Sequence, residues 1–234
     1  MTTTRTKTET LAGFPLFRSL SAAAIARLDT LCTWRRATGG QWVLDYQDAS
    51  NDVFFVVAGA VHVMIQSGGR DVLFREIRTG EYFGELAAID RQPRSSGIVA
   101  VVDVTLGRMP AAAFLAAVNE HADVCNQVLA LLAGQIRSLS NRVHEFTTLD
   151  VQHRIMAELL RLSRPEPNRP GRAIVSPPPI HAEIAARVST RREGVVRELN
   201  ALERAGLIER RRGAIVLTDV GRMRRLVDEA LEDA

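Results

Sequence analysis

The amino-acid sequence predicts an α+β protein in which an all-β unit is followed by a long helix and a small helical domain with a two-stranded wing. Three observations lead to this fold class. Short runs rich in Val, Ile and Phe follow one another between Trp34 and Met109. Apolar residues then recur at helical spacing over a long span without proline. The C-terminal part has the pattern of a helix, a turn, a second helix and a hairpin.

The composition is that of an ordinary soluble globular protein, with 46% hydrophobic and 24% charged residues in a chain of 234. It excludes a disordered chain and a small disulfide-stapled domain. The apolar stretch from Val53 to Ile65 is too short to span a bilayer. The polar start MTTTRTKTET lacks the apolar segment of a secretory signal, so a cytoplasmic protein without membrane contact is expected. Cys32 and Cys125 lie far apart without a Cys/His cluster, so no metal is expected.

The N-terminal half is predicted to begin with short helices and to continue as antiparallel strands. Ser21 is a candidate N-cap for a helix that starts at Ala22. The later runs are broken about every ten residues, a spacing typical of a barrel or a sandwich. The predicted breaks are Gly39–Gly40, Asp48–Asp52, Ser67–Arg70, Thr79–Gly80 and Asp90–Pro93.

After Pro110, which suits the first turn of a helix, the pattern becomes strongly helical. A long helix with one apolar stripe needs a partner surface. We expect a dimer seam, with part of the stripe covering the barrel; packing of the whole stripe on its own β domain is the alternative. The stripe consists of Val124, Val128, Leu132, Ile136 or Gln135, Leu139, Val143 and Phe146.

The C-terminal domain is predicted to begin at Asp150, a good N-cap for the segment VQHRIMAELLRLSR. The proline-rich segments RPEPNRPG and SPPP flank AIV, which indicates a loop and a short strand. HAEIAARV then forms one helix, and REGVVRELNALERAG forms a second that ends at Gly206. LIERRRGAIVLT forms a strand pair around Arg212–Gly213, which completes a winged helix-turn-helix. The predicted divisions are 1–109, 110–149 and 150–234.

The basic residues are concentrated in this C-terminal domain. Residues 185–225 contain eleven arginines and five acidic residues, whereas residues 1–149 contain fourteen of each charge. Such a surplus attracts a polyanion. Since Lys7 is the only lysine, the surface presents guanidinium groups, which suit both phosphates and guanine edges.

The second predicted helix of this domain carries the more specific signal. Arg192, Glu193 and Arg197 share one face, where arginine can bind guanine and glutamate can accept from a cytosine amino group. A solvated charged face is the alternative, and the turn, the basic surplus and the wing argue against it. Val195, Val196, Leu199 and Leu202 are expected to anchor the other side. Candidate DNA contacts also include Thr190, Arg191 and the wing residues Arg210, Arg211 and Arg212.

The segment YFGELAAIDRQPRSS carries the second signal. Gly84 permits close approach of the backbone to a ligand, Glu85 can accept from hydroxyls, and Arg94 with Ser95 can hold a phosphate. These groups fit a ribose cyclic phosphate. A turn with a surface Glu–Arg pair is the plainer reading of the motif alone, but its position between two strands and ahead of a long helix strengthens the ligand hypothesis.

In these motifs the sequence resembles the cyclic AMP receptor protein/FNR (Crp/Fnr) family of bacterial transcription regulators over nearly its whole length. The matching segments are, in family order, FPLFRSLS, VFFVVAGAVHV, FGELA with PRSS, LDVQHRI and EIAARVSTRREGVVRELNALERAGLI.

The resemblance implies a homodimer with a cyclic nucleotide in each jelly-roll-like β roll, bound to double-stranded DNA and working with RNA polymerase. Gly84 and Glu85 match the ribose-binding pair, and Arg94 and Ser95 match the phosphate contacts. The adjoining Leu86 is a further candidate ligand contact. By the same resemblance, the residues that read TGTGA-like half-sites are Arg192, Glu193 and Arg197.

The sequence departs from the family pattern at two places. The Thr-Ser pair that contacts adenine corresponds to Leu139 and Ser140, so one hydroxyl is missing. The Ser95 hydroxyl could accept a hydrogen bond from a guanine amino group. Cyclic AMP is therefore the first candidate ligand and cyclic GMP the second. Gly194 replaces a threonine in the reading helix. Iron–sulfur sensing is disfavoured because the cysteine cluster is absent.

Nucleotide binding is expected to bias the junction Phe146–Asp150 between two arrangements, one of which sets the reading helices about one DNA turn apart. Two rival classes remain open. One is a constitutive DNA-binding protein whose β roll is only a dimer platform. The other is a regulatory module of an enzyme, which the winged helix argues against.

Overall fold

The computed structural model describes residues 9–67 and 70–232. Two predicted segments lie partly outside these residues. They are the polar N-terminal segment, up to Thr8, and the turn Ser67–Arg70, at its tip. The chain divides into two compact units between Gly134 and Gln135, and this division falls inside one long helix. None of the described helices combines the length and the apolar character that a bilayer-spanning helix needs.

The first unit opens with 3-10 turns at Leu11–Gly13 and Pro15–Phe17 and with helix α1 (Ala22–Leu31). The Ser21 hydroxyl accepts from the N–H of Ala24 at 3.2 Å, which confirms the predicted N-cap.

An all-β region follows, as predicted. Among the described residues its strands form two antiparallel sheets, ordered β1-β8-β3-β6 and β2-β7-β4-β5. One short helix, α2, interrupts the strands. The elements are β1 (Thr33–Ala37), β2 (Trp42–Leu44), β3 (Val53–Ala58), β4 (Ala60–Ser67), β5 (Arg70–Arg78), β6 (Tyr82–Phe83), α2 (Glu85–Asp90), β7 (Gly97–Ala100) and β8 (Val104–Met109).

Strand β3 is buried on both faces, which explains its continuous apolar sequence. Phe54 and Val56 lie in one hydrophobic core with residues of both sheets. Val53 and Phe55 point the other way and belong to a second core that includes helical residues. The alternation of side chains along a strand produces this division.

The helical region after Pro110 is two helices, α3 (Ala111–Glu120) and α4 (Ala122–Thr148), so the long helix does not begin at Pro110. His121 has an extended backbone and ends α3. The break lets Phe114 of α3 and Val124 and Val128 of α4 reach the same core.

The second unit begins with the last turns of α4 and continues as the predicted winged helix-turn-helix. The Asp150 carboxylate accepts from the N–H of His153 at 2.9 Å, which confirms the predicted N-cap of α5. Its core includes residues from every helix of this unit that follows α4. The elements are α5 (Val151–Leu162), β9 (Arg164–Pro165), β10 (Ala173–Val175), α6 (His181–Arg187), α7 (Arg192–Arg204), β11 (Ile208–Arg211), β12 (Ala214–Leu217) and α8 (Val220–Glu232).

Strands β11, β12, β10 and β9 form one antiparallel sheet in that order, so the wing hairpin continues through the short strand predicted at Ala173–Val175. Helix α8 was not predicted. It packs on this unit's core through Met223 and Val227.

Candidate nucleotide site and nucleic-acid interface

The segment that joins β6 to β7 has a tightly constrained backbone. Gly84 has a φ of +88°, and a Cβ at this position would lie 2.7 Å from the NH1 atom of Arg94 and 2.8 Å from the carbonyl oxygen of Asp52. Both the dihedral angle and the space therefore require glycine. Glu85 then begins α2, and Arg91, with a φ of +59°, ends it.

Arg94 is held by three hydrogen bonds and is only 3% exposed. Its Nε donates to the Ser50 hydroxyl at 3.2 Å, NH1 to the Gly84 carbonyl at 3.1 Å, and NH2 to the Asp52 carbonyl at 2.8 Å. The guanidinium carbon also lies 5.8 Å from the centre of the Phe54 ring. These contacts thus fix the orientation of the side chain.

The charge of Arg94 is balanced by surrounding carboxylates. Burial lowers the pKa of Arg94, and Asp52, Asp48 and Glu85 oppose that effect. Because an arginine pKa starts so high, the group remains a cation. A buried cation with a fixed fork is suited to binding a phosphate.

A second arginine, Arg108, contacts a residue that orients Arg94. Arg108 of β8 donates to the Asp52 carboxylate from Nε at 2.8 Å and from NH2 at 2.5 Å. The main-chain carbonyl of the same Asp52 accepts from Arg94. Asp52 and Ser50, which the sequence analysis did not single out, therefore orient Arg94 across more than forty residues of chain. The predicted break Asp48–Asp52 was the only signal for them.

The other predicted ligand residues of the first unit differ in exposure. Glu85 is 4% exposed, whereas Leu86 is 40% exposed and Ser95 is also on the surface. Burial raises the pKa of the Tyr82 phenol, and the Glu85 carboxylate adds to this rise. The structure thus brings Gly84, Glu85 and Arg94 together, with Leu86 and Ser95 beside them.

Leu139 and Ser140 belong to the second unit. Both lie on an exposed part of α4, and Leu139 is 49% exposed. Their neighbours along the helix, Ile136 and Val143, are 65% and 62% exposed. The apolar stripe of the helix is thus open in its C-terminal half.

Helix α7 is fixed in its unit by one face and exposes the other. Val195, Leu199 and Leu202 are at most 1% exposed, as predicted for the anchoring side, and Val196 is partly buried. The predicted reading residues Arg192, Glu193 and Arg197 are all exposed, and so is Arg191, the other candidate DNA contact at the start of this helix. This amphipathic division leaves the charged face available to a ligand.

Thr190 occupies the space that Gly194 leaves open. A Cβ on Gly194 would lie 2.9 Å from the Thr190 hydroxyl oxygen. Thr190 itself is fixed by a hydrogen bond from its N–H to the Ala185 carbonyl at 3.0 Å. The Thr190 hydroxyl, which comes from the turn, therefore lies beside position 194 of the helix, where the family pattern has a threonine.

The wing arginines are engaged in ion pairs. Arg211 pairs with Glu209 at 2.8 Å and with Glu166 at 3.0 Å, and Arg210 pairs with Glu203. The Arg211 and Arg172 guanidinium groups lower the pKa of Glu209 to about 2. DNA binding by Arg211 would require exchange of these carboxylates for a phosphate. Arg212 lies at the turn of the hairpin and is exposed.

Comparison with known proteins matches both units to described families. A model described as the cyclic nucleotide-binding domain matches residues 34–121, and one described as the Crp-like helix-turn-helix domain matches residues 153–226. The fold and these matches define a DNA-binding transcription regulator with a cyclic nucleotide-binding domain.

Whole-chain relatives agree with this class. The chain is 25% identical to a CRP-like cAMP-activated global transcriptional regulator of Mycobacterium tuberculosis, over 93% of this chain and 98% of the relative. It is 26% identical to the cAMP-activated global transcriptional regulator Vfr of Pseudomonas aeruginosa, over 76% and 85%. A solved structure of a CooA mutant from Carboxydothermus hydrogenoformans shares the fold, with a TM-score of 0.77, 18% identity, and coverage of 95% and 97%. The chain belongs to the Crp/Fnr family of regulators.

Proposed function

We propose that the protein is a cyclic AMP-dependent, sequence-specific DNA-binding regulator that acts as a homodimer on TGTGA-like palindromes and works with RNA polymerase. The observation that carries the proposal is the pre-oriented Arg94 beside Gly84 and the buried Glu85. A fixed cation next to a buried carboxylate suits a cyclic phosphate and a ribose hydroxyl. The relatives described as cAMP-activated support cyclic AMP as the effector.

Cyclic GMP is the second candidate effector. Ser95 is exposed directly after Arg94, where its hydroxyl is available to a guanine amino group. Leu139 offers no hydroxyl to adenine, so the chain has lost one contact of the cyclic AMP-responsive pattern. These two residues weaken discrimination against guanine.

The proposed DNA contacts lie on one face and its wing. Arg192, Glu193 and Arg197 would read bases, and Thr190 and Arg191 would bind near the start of α7. Arg211 and Arg212 would bind phosphates from the wing. Ten of the eleven arginines between positions 185 and 225 are exposed, Arg187 being buried, and these ten supply the attraction for the DNA backbone.

Fluorescence anisotropy tests the whole proposal. A labelled palindromic TGTGA-type duplex is titrated with protein at fixed salt, without nucleotide and with cyclic AMP or cyclic GMP, and a scrambled duplex serves as the control. Salt is fixed because phosphate contacts make the affinity depend on ionic strength. We expect cyclic AMP to tighten binding to the palindrome alone. Equal affinities in all three conditions would instead indicate a constitutive DNA-binding protein.

Replacing Arg192 with alanine is expected to relax specificity at one base pair of each half-site. A bidentate arginine–guanine contact contributes about 1–3 kcal/mol of discrimination. The measurement is a base-substitution scan of the duplex by competition binding. Arg204→Ala, at the exposed far end of α7, is the matched control and should preserve the wild-type scan. A uniform loss across all sequences would make Arg192 a phosphate contact.

A further inference from the structure

An ion network with a buried centre and a partly exposed arginine, Arg161, joins the end of α4 to the two helices that follow it. Glu158 of α5 is 1% exposed and Arg187 of α6 is 7% exposed. Arg187 donates to one oxygen of the Glu158 carboxylate at 3.4 Å, and Arg161 donates to the other oxygen. Arg161 also donates to Glu145 of α4 at 2.6 Å. One carboxylate therefore connects three helices through two arginines.

Helix α4 also contacts the main chain at the end of α6. Arg142 donates from NH2 to the carbonyl oxygen of Arg187, the last residue of that helix. A terminal carbonyl lacks a helical partner, so Arg142 caps α6 from a different helix. Its guanidinium lies 5.5 Å from the centre of the Phe146 ring, and Arg154 of α5 lies 5.6 Å from the same ring. The last two turns of α4 thus contact α6 through Arg142 and contact α5 through Arg154 and Arg161.

The capped end of α6 leads directly to the reading helix. Only Val188, Ser189, Thr190 and Arg191 separate the two helices. Within that turn the N–H of Thr190 bonds to the Ala185 carbonyl. An arginine that fixes the Arg187 carbonyl therefore limits how α7 can be oriented relative to the end of α4.

Buried ion pairs contribute little net stability, because the cost of removing the charges from water offsets their attraction. They do require a particular geometry. Arg187 also pairs with Glu183 of its own helix at 2.9 Å. The buried Glu158 carboxylate, however, depends on both Arg161 and Arg187 for its charge balance. A network of this kind is better suited to holding an orientation than to adding stability.

We propose that Arg142 and Glu158 are positioning residues that hold the end of α4 and the helix-turn-helix as one rigid element. This rests on the proposed function, because its consequence is that a movement of α4 reaches the reading helix. The network has residues on both sides of the junction Phe146–Asp150. The expected switch within the junction is therefore replaced by a rigid junction that transmits a movement of α4, since bending there would have to break the network.

The variants separate positioning from stability. Arg142→Gln removes the charge and shortens the donor, whereas Arg142→Lys keeps a cation that can reach the carbonyl. Glu158→Gln preserves the shape of the side chain and removes its charge. Arg172→Gln is the matched control, because Arg172 belongs to an ion network of the same unit that includes neither α4 nor α6. This network shares Glu166 and Glu209 with Arg211, so the control is compared by the ratio of Kd values without and with cyclic AMP, in which an effect on the wing cancels.

The first measurement is the coupling factor of the full-length protein. This factor is the Kd for the palindromic duplex without cyclic AMP divided by the Kd with saturating cyclic AMP. We expect Arg142→Gln and Glu158→Gln to lower the factor about tenfold, within the usual range of such couplings. Arg142→Lys should restore most of it, and Arg172→Gln should match the wild type. Calorimetric affinity for cyclic AMP without DNA should change less than about twofold. A wild-type coupling factor in both folded variants would overturn the proposal.

The second measurement does not depend on the effector. Amide hydrogen exchange is compared in segments 142–148 and 184–191, with α8 as the internal reference. In Arg142→Gln we expect exchange in both segments to rise about tenfold over the wild type and over Arg172→Gln. Unchanged exchange would contradict the positioning role. Absence of any nucleotide response in the wild-type protein, with raised exchange in the variant, would reject the proposed function and retain the network.

Discussion

Replacing Arg94 with alanine is expected to lower the affinity for cyclic AMP by roughly 10- to 100-fold, as measured by calorimetry on the full-length protein. A charge-assisted hydrogen bond contributes about 1.5–3 kcal/mol, and removing the guanidinium eliminates the proposed cation for the cyclic phosphate. Nucleotide-dependent DNA binding should fall with it, because an effector that no longer binds cannot shift the equilibrium.

The same substitution has a structural cost that must be measured separately. The Gly84 and Asp52 carbonyls each accept from Arg94 and would each lose that bond, although the Gly84 carbonyl keeps a second donor, the Ala88 N–H at 3.4 Å. A buried acceptor left without a partner costs about 1–3 kcal/mol. Thermal unfolding therefore accompanies the binding experiment. Arg94→Lys retains the charge but loses the fork, so its affinity should lie between those of the wild type and the alanine variant.

Arg91→Asn is the matched control for Arg94. Arg91 is exposed in the same segment, and its φ of +59° is one that asparagine adopts readily. This variant should bind cyclic AMP like the wild type. Wild-type affinity in a folded Arg94→Ala protein would remove the phosphate assignment.

The Arg94 cluster shows how far the sequence could predict the arrangement of a candidate site. Gly84, Glu85 and Arg94 were identifiable because they lie in one short segment whose residue types fit a cyclic phosphate. Ser50 and Asp52 were not, because they reach Arg94 only after β2 and β3 are placed. The sequence of a loop between two strands does not indicate which distant side chain the loop will contact in the folded protein.

The helices were also predictable where they depend on neighbouring residues and not where they depend on distant contacts. Ser21 and Asp150 were predictable as N-caps because capping depends on a few neighbouring residues. Helix α2 was missed because six residues are too few to establish a period. The end of α3 was missed because His121 is neither glycine nor proline, and the shape of the core decides the break. Helix α8 could have been found, since Asp219 accepts from the N–H of Arg222 in the manner of an N-cap.

The exposed part of the apolar stripe on α4 is the basis of a prediction about the proposed homodimer. Val124 and Val128 are buried in the core of the first unit, so the start of the helix covers its own β domain. Leu129, Ile136 and Val143 are between 57% and 65% exposed and stand seven residues apart. Leu132, Leu139 and Phe146 repeat the same interval three residues later. This is the a/d pattern of a helix that pairs with another helix.

We expect Ile136→Glu to dissociate the proposed homodimer. Burial of an isoleucine contributes about 1.5–3 kcal/mol, and the substitution occurs once in each copy. Two glutamates facing each other across the seam add repulsion and the cost of desolvation. The two lost isoleucines together correspond to a dissociation constant raised at least about a hundredfold, and the repulsion raises it further. Sedimentation velocity over a range of protein concentrations measures it.

Ser138→Glu places the same charge on the opposite side of the helix, where Ser138 is exposed, and should leave the dimer intact. Affinity for a palindrome should then separate the variants. A dimer binds two half-sites at the entropic cost of one association, whereas the Ile136→Glu monomer must bind each half-site independently. Affinity for a single half-site should change little, because α7 and its anchoring residues are untouched. A dimer that persists in Ile136→Glu would place the interface elsewhere, and the exposed half of the stripe would then need a different partner.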